Sequence, residues 1–168
     1  MTIPERHERF QTLIEEHKRI LYKVCNSYCR NRDDRDDLAQ EIAVQLWRSF
    51  DTFDERARFS TWMYRIALNV AISFYRREST RTSSLQTVDM CLLEESTDTA
   101  SQPEEILLLY QFIGRLDLLN RGLLLLYLDG YGYREIAEML GISETNVATK
   151  INRLKQTMKA EFSGSAQS

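Results

Sequence analysis

Residues 59–77 read FSTWMYRIALNVAISFYRR. The stretch holds no Gly or Pro and is apolar on most sides, which predicts a well-buried helix. At helical angles Phe59, Trp62, Met63, Ile66, Val70 and Phe74 share one broad apolar face, while Arg65, Asn69 and Arg76 fall on a different stripe. The approach to it, Asp54-Glu55-Arg56-Ala57-Arg58, is densely charged. Aromatic rings beside arginines and an amide suit splayed-out nucleic-acid bases: rings stack, guanidinium groups meet phosphates, and an amide reads a base edge. The same pattern describes an ordinary core helix whose rings pack inward and whose arginines meet solvent. The stretch therefore decides for a helical fold and leaves the function to the rest of the chain.

Working outward, the 168 residues suffice for one domain or two small ones, and a 43% hydrophobic content supports a core. The net charge of −3 argues at first against a nucleic-acid partner, but its distribution argues for one. Residues 56–81 carry six arginines against the single acid Glu78. Residues 145–160 carry Lys150, Arg153, Lys155 and Lys159 and no acid. Between them, residues 82–105 carry six acids (Asp89, Glu94, Glu95, Asp98, Glu104 and Glu105) and no base. Two basic patches on an acidic tether are not what a plain globular enzyme needs.

No stretch sustains apolar/polar alternation with β-branched residues, so the expected fold is all-α. A first helix is expected from about Pro4 to Cys29, with Phe10, Leu13, Ile14, Leu21, Val24 and Cys25 inward. A second starts among Asp33 to Asp37, where acids suit the positive helix end, and runs to Phe50 with Leu38, Ile42, Leu46 and Trp47 as its apolar positions. Asp51 to Arg58 is a loop. From Glu78 to Gln102 Ser, Thr and acids dominate, which reads as a linker with a short hydrophobic contact at Val88 to Leu93. Pro103 opens the next helix, followed by two leucine-rich segments, EILLLYQFIGRLDLL and NRGLLLLYLDG, that pair as helices. Tyr133 to Leu140 is a short amphipathic helix closed by Gly141, and Ser143 caps a last helix from Glu144 to about Ala160.

Two helices joined by Leu-Gly-Ile-Ser make a helix-turn-helix. In the second of them Val147, Ile151, Leu154 and Met158 point inward; Thr145, Ala148, Thr149, Asn152, Arg153, Gln156 and Lys159 share the outward face. Small and polar residues flanked by bases are what a major-groove reading helix requires. The expected architecture is two small helical domains joined by a flexible acidic linker: a first domain over 1–78, the linker over 79–102, and a helix-turn-helix domain over 103–162.

Cys25 and Cys29 share a helix face, and with His17 they still lack a fourth ligand, so no metal and no cofactor are expected. The three cysteines suit free thiols in a reducing cytoplasm. Met1 to Phe10 is charged and lacks a signal peptide's apolar core, and no aliphatic run approaches the ~20 residues of a membrane span. With no nucleophile–base set, metal cluster or phosphate loop, the chain is not expected to be an enzyme or to take a small-molecule substrate.

With both halves in view, the sequence resembles bacterial sigma factors of the compact, two-domain extracytoplasmic-function type. DDLAQEIAVQLWRSF resembles the family's polymerase-binding helix, FSTWMYRIALNVAISFYRR its promoter-melting and minus-ten helix, and GYGYREIAEMLGISETNVATKINRLK its minus-thirty-five helix-turn-helix. The resemblance implies that Asp37, Gln40, Glu41 and Arg48 dock on the clamp-helix coiled coil of core RNA polymerase. It implies that the loop Phe53 to Phe59, with Arg56, Arg58 and Asn69, captures a flipped minus-ten base, and that Arg65, Arg76 and Arg77 meet phosphates. It assigns Trp62 to a family aromatic, whose stripe suggests packing. It implies that Thr145, Ala148, Thr149, Asn152 and Arg153 read promoter bases while Lys150 meets a phosphate. The partners implied are core RNA polymerase, promoter DNA and an anti-sigma factor, which would hold a cytoplasmic protein at the inner membrane.

The chain also departs from the family pattern. Leu116-Asp117 stands where Leu-Pro is usual, Ala148 and Asn152 replace a basic and a bulky residue, and Ser73 replaces an acid. These departures leave the promoter sequence open. The rival reading is a polymerase-independent helix-turn-helix regulator, which leaves residues 37–77 without a role.

Overall fold

The computed structural model describes residues 2–81 and 103–165, which fall into two compact units divided between Ser101 and Gln102. The described residues form α-helices and one 3₁₀ turn, with no strand among them. The contact expected at 88–93 and the third cysteine, Cys91, lie outside the described residues.

In the first unit α1 spans Ile3–Glu16, α2 Lys18–Tyr28, α3 Arg32–Ser49 and α4 Phe59–Arg81, with a 3₁₀ turn at Phe50–Thr52. The single helix expected from Pro4 to Cys29 is thus two helices. The apolar stripe runs on past the break, but His17 leaves helical geometry at φ −115° and ψ 16°. Its backbone N–H and its ring both turn back on the preceding helix, with Nδ1 2.9 Å from the Leu13 carbonyl. Thr2 and Glu5 close a reciprocal capping box at the start of α1. The same hydrogen bonds, first from the Thr2 backbone N–H, hold the Glu5 carboxyl below its ordinary range. Asn31 caps α3 by accepting from the Asp34 N–H at 2.8 Å, with Asp33 and Asp34 in the first turn.

α4 is the centre of this unit and packs against both α2 and α3. It also runs three residues beyond the expected domain end at 78, since nothing from Phe59 to Arg81 breaks a helix. Its buried side is only partly the predicted one, sharing Phe59 and Met63 with it. Met63, Tyr64, Ala67, Leu68, Ala71 and Ile72 are buried beside Phe59, whereas Trp62, Ile66, Val70 and Phe74 are only half-buried. The inward face is turned by roughly one residue, about 100°. The small Ala67 and Ala71 permit close helix approach on that side, which outweighs the larger rings. Against it lie Val24, Cys25 and Tyr28 from α2, Cys29 just after it, and Leu38, Ile42 and Leu46 from α3.

In the second unit α5 spans Glu104–Arg115, α6 Leu118–Leu128, α7 Tyr133–Leu140 and α8 Glu144–Ser165. Pro103 is the residue before α5 rather than its first. The break between the leucine-rich helices falls at Leu116-Asp117, earlier than the expected boundary before Asn120. Asp117 accepts the Asn120 N–H at 2.8 Å, and Arg121 donates to the Gly114 and Leu116 carbonyls, both at 2.8 Å. Asp117 therefore starts α6 as a cap, and Arg121 satisfies the end of α5. Leu123, Leu124, Leu125 and Leu126 are all buried, which makes α6 the core onto which α7 and α8 pack.

Candidate nucleic-acid interface

Three surfaces carry the residues singled out from the sequence. The first is an open groove of about 1100 Å³ between α3 and α4. Asp37, Gln40, Glu41, Val44, Gln45 and Arg48 form one wall, and Ile66, Asn69, Val70, Ser73, Phe74 and Arg77 form the other. The spacing Asp37, Glu41, Val44, Arg48 keeps one face of α3 along the groove. All four polymerase-docking candidates are therefore together. Two residues expected at minus-ten DNA, Asn69 and Arg77, stand in the same groove, and Arg77 Nη2 lies 3.1 Å from both Glu41 carboxylate oxygens. Val44, 48% exposed, and the half-buried Ile66, Val70 and Phe74 give the groove an apolar floor that was missed from the sequence. The signal was present: Val44 interrupts an otherwise polar stripe of α3.

The second surface is the connection from α3 to α4. Arg56 and Arg58 are exposed, and the Asp54 carboxylate accepts the Arg56 backbone N–H at 3.1 Å. Phe53 is half-buried against Phe59 and Trp62, with ring centroids 5.4 Å away in each case. Phe59 itself is only 6% exposed and touches the His17 ring. This corrects one expectation: Phe59 supports the loop from beneath and offers no face to a base. Trp62 also packs, on Phe50, Phe53 and Phe59. Asn69 lies ten residues along α4 from Phe59, on the order of 15 Å down the axis, and so is not beside the loop. Arg65, Asn69 and Arg76 are all exposed, as their shared stripe predicts.

The third surface is α8. Gly141 takes the left-handed φ of 71° that ends α7, and the Ser143 hydroxyl accepts the Asn146 N–H at 3.1 Å. Val147, Ile151 and Leu154 are buried on α6 and α7, which turns Thr145, Thr149, Asn152 and Arg153 outward, with Ala148 and Lys150 half-exposed. Lys155 belongs elsewhere: its ammonium sits 4.9 Å over the Tyr127 ring. A hydrogen bond with the Tyr127 side chain raises its pKa above the ordinary lysine value.

A helix-lined groove, an arginine-bearing loop and a helix-turn-helix, in that order along one chain, can be compared with known proteins. The Sigma-70 region 2 family matches residues 13–81, and the Sigma-70 region 4 family matches residues 106–158. The chain belongs to the sigma-70 family, in its extracytoplasmic-function group. The sigma factor SigX of Bacillus subtilis is 29% identical over 156 residues, spanning 87% of this chain and 79% of that one. A structure of CnrH in complex with the cytosolic domain of CnrY superposes with a TM-score of 0.64 at 25% identity, covering 94% of this chain and 90% of that one. The sigma factor RpoE of Bartonella quintana, solved with the anti-sigma factor NepR, gives 0.73 at 15% identity over 91% of this chain and 96% of its own, a likeness of fold. This sigma factor binds core RNA polymerase and promoter DNA and directs transcription initiation. Among the described residues no three His, Cys, Asp or Glu side chains gather as metal ligands, and no helix is long and apolar enough to cross a membrane.

Proposed function

We propose how the work of initiation is divided among these surfaces. The α3/α4 groove docks core polymerase: Asp37, Gln40, Glu41 and Arg48 offer charge around the apolar strip of Val44, Ile66, Val70 and Phe74, a composition that suits an amphipathic helical partner. The loop around Phe53, Arg56 and Arg58 captures a flipped minus-ten base, with Arg65 and Arg76 along the phosphates. Extrusion of a base costs a few kcal/mol, which stacking and edge hydrogen bonds offset. The exposed face of α8 reads the minus-thirty-five duplex through Thr145, Ala148, Thr149, Asn152 and Arg153, with Lys150 on phosphate. The observation that carries this reading is the groove, which gathers all four docking candidates from one helix.

Each DNA contact is modest, so tight promoter binding awaits the polymerase, which brings both units to one DNA at high effective concentration. An anti-sigma factor that occupies the groove would keep the chain from polymerase. The likeness to CnrH, which is seen with the cytosolic domain of CnrY, supports such a partner and its attachment at the inner membrane. Run-off transcription on a promoter library with core polymerase tests the division. Specific starts should appear only with this protein and vanish when Asp37, Gln40 and Glu41 are changed to Ala. Starts that survive those changes would remove the groove from the docking role.

A further inference from the structure

Helix α1 buries no residue, yet it reaches across to the α3–α4 connection at two points. Arg6 lies with its guanidinium 3.9 Å over the Trp47 ring, donates from Nη2 to the Trp47 carbonyl at 2.9 Å, and from Nε to Asp51 at 2.8 Å. Arg9, three residues on and so on the same helix face, pairs with Glu55. Phe10 adds ring contacts to Trp47 and Phe50 at 5.1 and 5.2 Å. We propose that α1 is a splint for this loop, with Arg6 and Arg9 as positioning residues that hold it in shape for base capture. The proposal rests on the reading of the loop given above.

Two properties of the loop call for a splint. Residues 54–58 are all exposed and belong to no helix, and Glu55 stands at φ 66°, left-handed backbone that a residue with a side chain rarely holds without outside support. The pairing with Arg9 is made at that very residue. The second property is charge. Residues 51–58 carry three acids, Asp51, Asp54 and Glu55, against two arginines, Arg56 and Arg58. Alone the segment is net negative and repels a phosphate backbone. With Arg6 on Asp51 and Arg9 on Glu55 the sign reverses: Arg56 Nε pairs with the Asp54 carboxylate at 3.2 Å, which leaves the charge of Arg58 in excess toward DNA. Arg6 also occupies one of the last carbonyls of α3, so it fixes the point from which the loop departs. Because α1 closes its own capping box, the face that carries Arg6 and Arg9 forms locally.

The test uses the full chain on core polymerase and the non-template strand of the strongest start found by run-off transcription. That oligonucleotide is compared with copies made abasic at each position in turn, and amide hydrogen exchange is read over residues 51–58. Arg6→Ala and Arg9→Ala should speed exchange at Phe53 and Arg56, the loop residues whose N–H groups are hydrogen-bonded, about two- to fivefold and weaken binding of the intact strand by a similar factor. They should weaken the strand abasic at the captured position less than the intact strand, so that discrimination between the two falls, and leave the affinity for polymerase unchanged. Arg9→Lys should restore capture, since one ammonium can pair with Glu55. Arg6→Lys should not, since it cannot stack and bridge two acceptors at once. Glu55→Ala should reproduce the faster loop exchange of Arg9→Ala but lose less strand binding, because it removes the acid that Arg9 neutralises; these two variants, at an exposed and a half-buried position, carry the test if Arg6→Ala does not fold. Parent-like discrimination in the α1 variants, with Arg56→Ala losing it, would overturn the splint and leave the loop's role standing. Unchanged discrimination in Arg56→Ala as well would overturn the loop reading, and the splint with it.

Discussion

Arg77 of α4 reaches over the groove to Glu41 of α3, with its Nη2 3.1 Å from each carboxylate oxygen. The pair joins a residue expected at DNA phosphate to one expected at polymerase. Both partners are well exposed, at 65% and 42%, so the pair adds less than about 1 kcal/mol to stability. We propose that the pair instead shapes what the groove mouth presents to polymerase.

It follows that Glu41→Ala and Arg77→Ala should each leave thermal melting within a few degrees of the parent. Both should weaken binding to core polymerase about tenfold when no DNA is present. Titration of labelled protein with polymerase measures this directly. Were Arg77 a phosphate contact instead, Arg77→Ala would keep its polymerase affinity and lower only the salt dependence of strand binding.

Two glycines near the helix-turn-helix should respond in opposite directions. Gly141, at φ 71°, has nothing within 4 Å of an added Cβ, so Gly141→Ala meets backbone strain alone and should cost about 1–2 kcal/mol. Gly132 starts α7 in extended backbone at φ −75°, where a Cβ meets only ordinary contact. A serine there can accept from the first turn, and Gly132→Ser should stabilise by a few tenths of a kcal/mol. Thermal unfolding followed through amide signals of residues 103–165 separates the two.

The parts of the fold legible in the sequence were those written by local chemistry. Gly141 and Ser143 mark the turn before α8, Asp33 and Asp34 mark the start of α3, and their effects reach only one helical turn. The break at His17 was hidden because the stripe Phe10 to Cys25 continues past it with no Gly or Pro. The rotation of α4 was hidden because it depends on Ala67 and Ala71 meeting two other helices, and apolar periodicity ranks them below Trp62 and Phe74. That rotation is what turns Ile66, Val70 and Phe74 into the groove. The polar stripe of the candidate site could be read from α3 alone; its apolar floor needed the partner helix.

Cys25 should be chemically quiet. Burial, with the neighbouring Cys29 adding to it, pushes its thiol up to about 12 from an ordinary value of 9.0. Native protein near neutral pH should resist iodoacetamide at Cys25 until it unfolds. The folded state favours the protonated thiol, so its contribution is fully present below pH 9 and is lost as pH rises from about 9 to about 12. Across that window the unfolded chain binds fewer protons, and stability should fall by up to about 1.4 kcal/mol per pH unit from this group. Denaturant melts of the parent and of Cys25→Ala over that range isolate the term, and the variant should show the shallower decline.

The face of α8 divides into residues that should change sequence preference and residues that should change affinity alone. Asn152 and Arg153 are exposed, with buried Ile151 and Leu154 fixing the helix rotation that presents them. Asn152→Ala and Arg153→Ala, assayed as holoenzyme on minus-thirty-five variants, should each relax preference at one or two base pairs by about 1–3 kcal/mol. Lys150→Ala should instead weaken binding to all sequences alike and lower the salt slope by about 0.9, the change expected for one lost phosphate contact. Lys155 provides the contrast, because the Tyr127 ring already engages it. If that engagement holds on DNA, Lys155→Ala keeps the parent slope. An equal drop in slope for both lysines would place Lys155 on the phosphates with Lys150, off its tyrosine.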